Sequence, residues 1–346
     1  MAAVWFWAVA AMLAVYATLD GFDIGAGIVH LLVTRNEAER RAVLRSIGPV
    51  WDGNEVWLVA GGGVLFTAFP IVYSSSFSGF YLPLMIVLWL LILRGISVEF
   101  RNKMDSPVWA PFWDVVFAGA SALLAGFYGA AIGNVVRGVP LDSTGYFFLP
   151  LWTDFSVGKS VGVLDWFTIL VGIATFLTMA EHGALWVALK TEGDLEARCR
   201  QLARITWWFV LAFAVLIPIV SPFVQPHLLE QIAAHPWGYI FPAGAVIGLF
   251  GMRHFNHPAT AARAFQFSCM YVFGIAASTA FGVFPYLLPS NLDRATGLSI
   301  YNAAAPPHSL SFGLAWFIPG IILATIYMFI AYRGFAGKAN VEEEVY

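Results

Sequence analysis

Apolar residues run along this chain in stretches long enough to cross a bilayer core of about 30 Å as helices of about 20 residues. Nine such stretches are found, at about 4–32, 50–72, 78–100, 112–136, 164–190, 204–224, 237–253, 264–287 and 312–333. The pattern predicts an all-α integral membrane protein with about nine transmembrane helices in packed bundles. The longest connections, near 137–163 and 288–311, are rich in Gly, Pro and Ser and read as loops or lids. Neither reads as a second domain. The expectation is a single polytopic membrane domain over 1–346, ending in a polar tail from about 334 to 346. No sequence repeat or low-complexity tract stands out. The first stretch lacks the positive leading segment of a signal peptide and is too long for one, so it reads as a retained helix.

Composition agrees with the hydropathy pattern. Of 346 residues, 60% are hydrophobic and 11% charged, against roughly 25% charged in soluble domains. The net charge of −3 and the scattered basic residues argue against nucleic acid as a partner. The two cysteines, Cys199 and Cys269, offer neither a disulfide framework nor a thiolate cluster. Positive charge collects on the cytoplasmic side of membrane proteins. With the N-terminus outside and the C-terminus cytoplasmic, all of the 18 basic residues fall inside except Arg137, Lys159 and Arg294.

Against that background, the acids of the first two spans need a reason. Asp20 and Asp23 in "TLDGFDIGAG" lie in the inner half of the first span, one helical turn apart on one face, and His30 returns to nearly the same side. Asp52 and Glu55 repeat the spacing in the first turns of the second span, and Arg94 and Glu99 close the third on the same side. The reading is that the six of these other than His30 converge in the inner leaflet. There, an uncompensated charge costs about 2.5–3.5 kcal/mol, so lipid-facing placement is disfavoured. Small residues assist such packing: Gly21 and Gly25 form a G-x-x-x-G step, and Gly61, Gly62 and Gly63 thin the second helix. "GFDIGAG" follows no strand and is not a dinucleotide loop.

Each residue also has a plainer reading. Asp52 follows Pro49 at a helix start, where a carboxylate suits the free N–H groups and the macrodipole, so capping and proton handling both remain open. Asp20 and Asp23 are mid-helix and favour a proton relay or ion site. Arg94 reads as counter-ion or snorkelling residue and Glu99 as a solvated end. Glu181 and His182 read as partners in an interhelical hydrogen bond rather than a metal site. Haem ligation needs an imidazole, thiolate or thioether aimed into a cavity between helices. The seven histidines sit in loops, at span ends or near the inner boundary, and no metal site is expected. The 14 Trp and 12 Tyr read as interfacial belts and packing surfaces.

The segments "LDGFDIGAG", "RRAVLRSIGPVWDGNEVWL", "FSGFYLPL" and "FPYLLPSN", in this order from about Thr18 to Asn291, resemble subunit II of cytochrome bd quinol oxidase. "WDGN" is the most specific of them. The resemblance implies a heterodimer with a larger subunit I of related fold, in a bacterial or archaeal cytoplasmic membrane, oxidising quinol and reducing dioxygen to water. It implies that haem b and haem d sit on subunit I rather than on this chain, with small accessory subunits and membrane lipids as further partners. It also implies a proton path at Asp52, near the subunit boundary, with Trp51, Gly53 and Asn54 as motif members; some relatives carry Gln at the position of Glu55. Joined to the reading of the residues, the candidate path comprises Asp52, Asp20, Asp23 and Glu55, with Arg94 compensating charge. A proton- or cation-coupled secondary transporter is the alternative from another class, because paired intramembrane acids also bind coupling ions. A purely structural membrane scaffold is the third reading.

Overall fold

In the computed structural model, residues 1–158 and 160–339 are described; Lys159 and residues 340–346, most of the expected polar tail, lie outside the described residues. Helix α1 (Ala2–Val33) is the central element. Around it, and after it in the chain, come α2 (Glu37–Ile47), α3 (Trp51–Ala68), α4 (Pro70–Gly79), α5 (Tyr81–Phe100), α6 (Trp109–Arg137) and α7 (Trp166–Lys190). The second half contains α8 (Gly193–Val224), α9 (His227–Ala234), α10 (Ile240–His254), α11 (Ala261–Val283) and α12 (Pro307–Gly334). Helix α1 packs against α2, α3, α6, α7, α8 and α11, which is why half of its length is lined by buried side chains.

Among the described residues, seven helices are long and apolar enough to span, and two bent pairs raise the number to nine if each pair is one span. The expected nine stretches are therefore recovered, but not as nine straight rods. The stretch expected at 50–72 turns by 120° between α3 and α4. Pro70 explains the break: it lacks an N–H and fixes φ, so it opens a new helix at its first position. The stretch expected at 237–253 is preceded by α9 across a 105° bend at Pro236. Helix α8 begins at Gly193 rather than near 204, because the polar segment before the apolar run is helical too. Helix α11 stops at Val283 rather than near 287; Tyr286–Leu288 leave it as strand β1, antiparallel to β2 (Leu298–Ser299).

Helix α2 adds an element the hydropathy pattern missed. Asn36 caps it by accepting from Glu39 N–H at 3.0 Å. Its apolar face of Ala42, Val43, Leu44 and Ile47 is buried, while Glu37 and Arg41 face outward.

Hydrogen bonds knit the connections into two ends. At one end, Arg101 of the α5–α6 turn bonds Glu37 of α2, Arg198 of α8 donates to Val33 O at 2.7 Å, and Lys190 of α7 donates to Phe335 O at 2.7 Å. We call this the basic end. At the other, the two long connections pack on each other: Val139 N–H donates to Pro289 O (3.0 Å) and Asn291 N–H to Val139 O (3.1 Å). Leu149 N–H reaches Gly79 O and Ala305 N–H reaches Ala68 O, so the loops cover the bend between α3 and α4. Asp165 caps α7 there by accepting from Phe167 and Thr168 N–H, and it pairs with the buried Arg137.

Helices α1 and α7 cross at Gly25 and Gly183. A Cβ on either would collide with the backbone of the other helix. Gly21 faces Met179 of α7, so the G-x-x-x-G step works against α7. The glycine triplet of α3 behaves differently from expectation: Gly61 faces Leu13 of α1, but Gly62 and Gly63 have open space where a Cβ would stand. Only one glycine in three can face α1, because successive helical positions are rotated by about 100°.

Candidate functional site: a buried acidic cluster between α1, α3, α5 and α12

Asp20 and Asp23 project from one face of α1, as their spacing requires, and both are fully buried. Arg94 of α5, itself 2% exposed, brings Nη2 to 2.7 Å from Asp20 Oδ1 and also hydrogen-bonds Glu55 Oε1 of α3. The contact with Asp20 is an ionic approach without hydrogen-bond alignment. Asp23 takes a different partner: Asn54 Nδ2 of α3 donates to its Oδ2 at 2.6 Å. Asn54 is in turn held by Tyr332 of α12, whose hydroxyl donates to Asn54 Oδ1 at 2.7 Å, and its amide also reaches Leu19 O at 3.4 Å. Asp20 Oδ2, Asp23 Oδ1 and Arg94 Nε make no hydrogen bond with the protein. The cluster thus holds three carboxylates and one guanidinium, which contacts two of them.

Beside Asp20, one turn back on α1, Tyr16 is hydrogen-bonded to Tyr128 of α6, with the hydroxyls 2.8 Å apart. The side chains at the start of α3 differ in burial. The Asn54 side chain is buried, Glu55 is 25% exposed and Asp52 lies on the surface. Asp52 does not cap its helix; Val50 occupies that position and no side chain caps the N-terminus. Trp51 packs beside Gly95 of α5, and Gly53 faces Met328 of α12 at ordinary contact distance.

The expected convergence of six groups is therefore partly realised. Asp20, Asp23, Glu55 and Arg94 meet, while Asp52 and Glu99 are exposed. His30 does not join them. Two turns beyond Asp23, its Nε2 lies 2.7 Å from Asp114 Oδ1 of α6, in a second buried cluster. Arg101 donates to both oxygens of Asp114, from Nε at 2.6 Å and Nη2 at 3.0 Å, and its other face holds Glu37 through two bonds of 2.8 Å. Arg40 adds a further bond to Asp114 at 3.2 Å.

Sequence reasoning missed Tyr16, Tyr128, Tyr332, Asp114 and the role of Arg101. Asp114 had a signal, being an acid inside an apolar run, which by itself marks a paired residue. The tyrosines had none that separates them from interfacial aromatics. His182 does form the expected interhelical hydrogen bonds, with Ser268 at 2.8 Å and Thr18 O at 2.9 Å. Glu181, expected to share in them, is buried with Oε2 unpartnered. Among the described residues, no group of three or more His, Cys, Asp or Glu is arranged to hold a metal ion.

The site therefore has the makings of a proton-handling centre at one end of a helical membrane protein. Comparison with known proteins gives it a family. A family model described as cytochrome bd terminal oxidase subunit II matches residues 1–335. Cytochrome bd-I ubiquinol oxidase subunit 2 of Escherichia coli K12 is 28% identical, over 99% of this chain and 97% of that protein. A probable cytochrome oxidase subunit 2 of Haemophilus influenzae is 29% identical, over 97% and 94%. Cytochrome bd ubiquinol oxidase subunit 2 of Bacillus subtilis is 36% identical over 61% of each chain. In fold, the chain superposes on a solved structure of bd oxidase from Geobacillus thermodenitrificans with a TM-score of 0.75, covering 97% of this chain and 98% of that one at 15% identity. With one family model spanning nearly all of its length, the chain belongs to the cytochrome bd terminal oxidase subunit II family.

Proposed function

We propose that this chain works as a single polytopic membrane domain beside a haem-bearing subunit I, in a quinol:oxygen oxidoreductase of a bacterial or archaeal cytoplasmic membrane. In this reading the basic end faces the cytoplasm, and the acidic cluster supplies protons for reducing dioxygen to water. Each dioxygen takes four electrons and four protons to give two waters. Drawing those protons from the cytoplasm, while quinol oxidation releases protons outside, separates charge across the membrane. The relatives named as ubiquinol oxidase subunits support the reaction class, and the concentration of basic residues at one end supports the orientation.

The observation that carries the proton path is the graded burial from surface Asp52, through part-exposed Glu55, to fully buried Asp20 and Asp23. Such a series passes protons inward because each carboxyl exists in either charge state while Arg94 limits the net charge that the protein must hold out of water. Partnership is supported by α3, which leaves one helical face uncovered. Asp52, Val56, Val59, Gly63 and Phe66 recur on it every three to four residues and are all exposed. We infer that subunit I covers this face, bringing Asp52 to the subunit boundary.

Haem b and haem d are assigned to subunit I in this reading. The imidazoles buried among the helices here are already engaged: His182 uses both ring nitrogens on Ser268 and Thr18, and His30 uses Nε2 on Asp114. With both nitrogens taken, His182 does not fit axial ligation, whereas His30 keeps Nδ1 without a protein partner.

The test compares wild type with Asp52→Asn in the intact complex at equal haem content, measuring oxygen consumption and proton uptake. Loss of a proton-transferring group slows turnover by about 10²-fold or more. Unchanged rates with an assembled, haem-loaded complex would leave a purely structural role and sink the path.

A further inference from the structure

The buried cluster holds three carboxylates and one cation, and the partners divide the acids into two kinds. Asp20 and Glu55 both face Arg94. Asp23 has only a neutral amide. The Tyr332 hydroxyl donates to Asn54 Oδ1, and Asn54 Nδ2 points at Asp23 Oδ2 and at Leu19 O, a carbonyl that can only accept and so favours this orientation of the amide. Asp23 Oδ1 is left buried without a partner. Resting on the proton-path reading, we propose that Asp23 holds the site's exchangeable proton, on Oδ1, between transfers, while Asp20 and Glu55 rest ionised against Arg94 and take a proton only as it passes.

The polar groups that the packed helices bring to this region agree with this division. On α1 these are Asp20 and Tyr16; on α3, Asn54 and Glu55; on α5, Arg94; on α6, Tyr128; on α7, His182; and on α12, Tyr332. Arg94 is the one permanent cation among them, and it is committed to the other two acids. His182 has both nitrogens in hydrogen bonds. With Asp23 neutral, the remaining imbalance is one negative charge, carried by the pair that includes part-exposed Glu55. With Asp23 ionised, two negative charges sit in a site closed to water at Asp20 and Asp23, which is the arrangement a low-dielectric interior disfavours most. The step itself involves no change of redox state. The Oδ1–H bond of Asp23 breaks, its electron pair stays on the carboxylate, the proton moves onward, and the next proton from the Asp52 side restores the bond.

Infrared difference spectroscopy on the intact complex tests this, together with thermal denaturation. The wild type should show the C=O stretch of a protonated carboxylic acid, shifted in heavy water. Asp23→Asn should remove that band, assemble with full haem content and melt as wild type does, because asparagine copies a neutral carboxyl. Asp20→Asn should keep the band and melt lower, because Arg94 loses an ionic partner. The proposal is overturned if the wild type lacks the band, if the band survives Asp23→Asn, or if Asp23→Asn fails to assemble or melts lower than Asp20→Asn. The outcome is separable from the path itself. A normal rate in Asp52→Asn with the infrared result as expected would remove the path and leave the protonation of Asp23 standing.

Discussion

Two buried polar clusters lie on α1 within a few turns of each other, and they are built on opposite principles. Around Asp114, one carboxylate receives His30, Arg40 and Arg101, and Arg101 is further satisfied by Glu37. Around Arg94, one guanidinium meets two carboxylates, Asp20 and Glu55, with a third, Asp23, held beside them by a neutral amide, and several buried atoms are left without a hydrogen bond. In the first arrangement both oxygens of Asp114 accept, and its two guanidiniums cannot give up a proton, so their charges are permanent even though His30 Nδ1 and Arg40 Nε lack a partner. It ties α1, α2, α5 and α6 together at the basic end. The second is under-compensated, which in a closed site invites protons in. The proposed proton path draws on the loose cluster, and the tight one joins helices.

The contrast breaks most severely at Asp114. Asp114→Ala leaves buried Arg101 and His30 facing each other, and removing one partner of a buried pair costs about 3–5 kcal/mol. Complex assembled in membranes, quantified by haem absorbance, should fall sharply. Arg94→Gln should be less damaging, because the acids it leaves behind can accept protons whereas Arg101 cannot shed one. Its thermal midpoint should therefore be higher at mildly acidic than at mildly alkaline pH, and a variant insensitive to pH would erase the distinction between the clusters. Tyr332→Phe removes one hydrogen bond to Asn54 and should lower stability by about 0.5–1.5 kcal/mol, read from the melting point. Glu37 gives the smallest effect. Hydrogen bonding from Arg101 holds its carboxyl below the usual range, opposed by partial burial and aided by Arg41. A depressed value stabilises the fold above the unfolded-state value, about 4.3, and that stabilisation is lost as pH falls through the folded value. Glu37→Gln should flatten the acid limb of a stability–pH profile slightly, because the side chain is half exposed and its pairing is screened.

Much of the architecture was legible because a bilayer imposes a simple demand. A chain that crosses it must offer about 20 apolar residues in a row with all backbone groups bonded locally, so the spans stand out in the hydropathy pattern. The bends at Pro70 and Pro236 were not legible in their angles. A proline marks where a helix can break, but the packing of the next helix sets the direction. Helix α2 escaped notice because it lies outside the apolar runs, and only the surface it covers reveals its buried face. In the site, Asp20, Asp23, Glu55 and Arg94 were found from charge in an apolar setting. The periodicity of α1 returns His30 to nearly the same side, but it is Asp114 on α6 that claims it.

What this sequence determined alone is local in origin: the membrane-spanning class, the positions of the helices, and the common face of Asp20 and Asp23, all following from hydropathy and helical period. What the tertiary structure decided is pairing. Tyr332 reaches Asn54 across 278 residues of chain, and Arg94 selects Asp20 and Glu55 but leaves Asp23 to a neutral amide. Helical period says which way a side chain points within its own helix. Which partner waits there depends on how separate helices pack, and with it depends whether a buried acid keeps its charge or takes a proton.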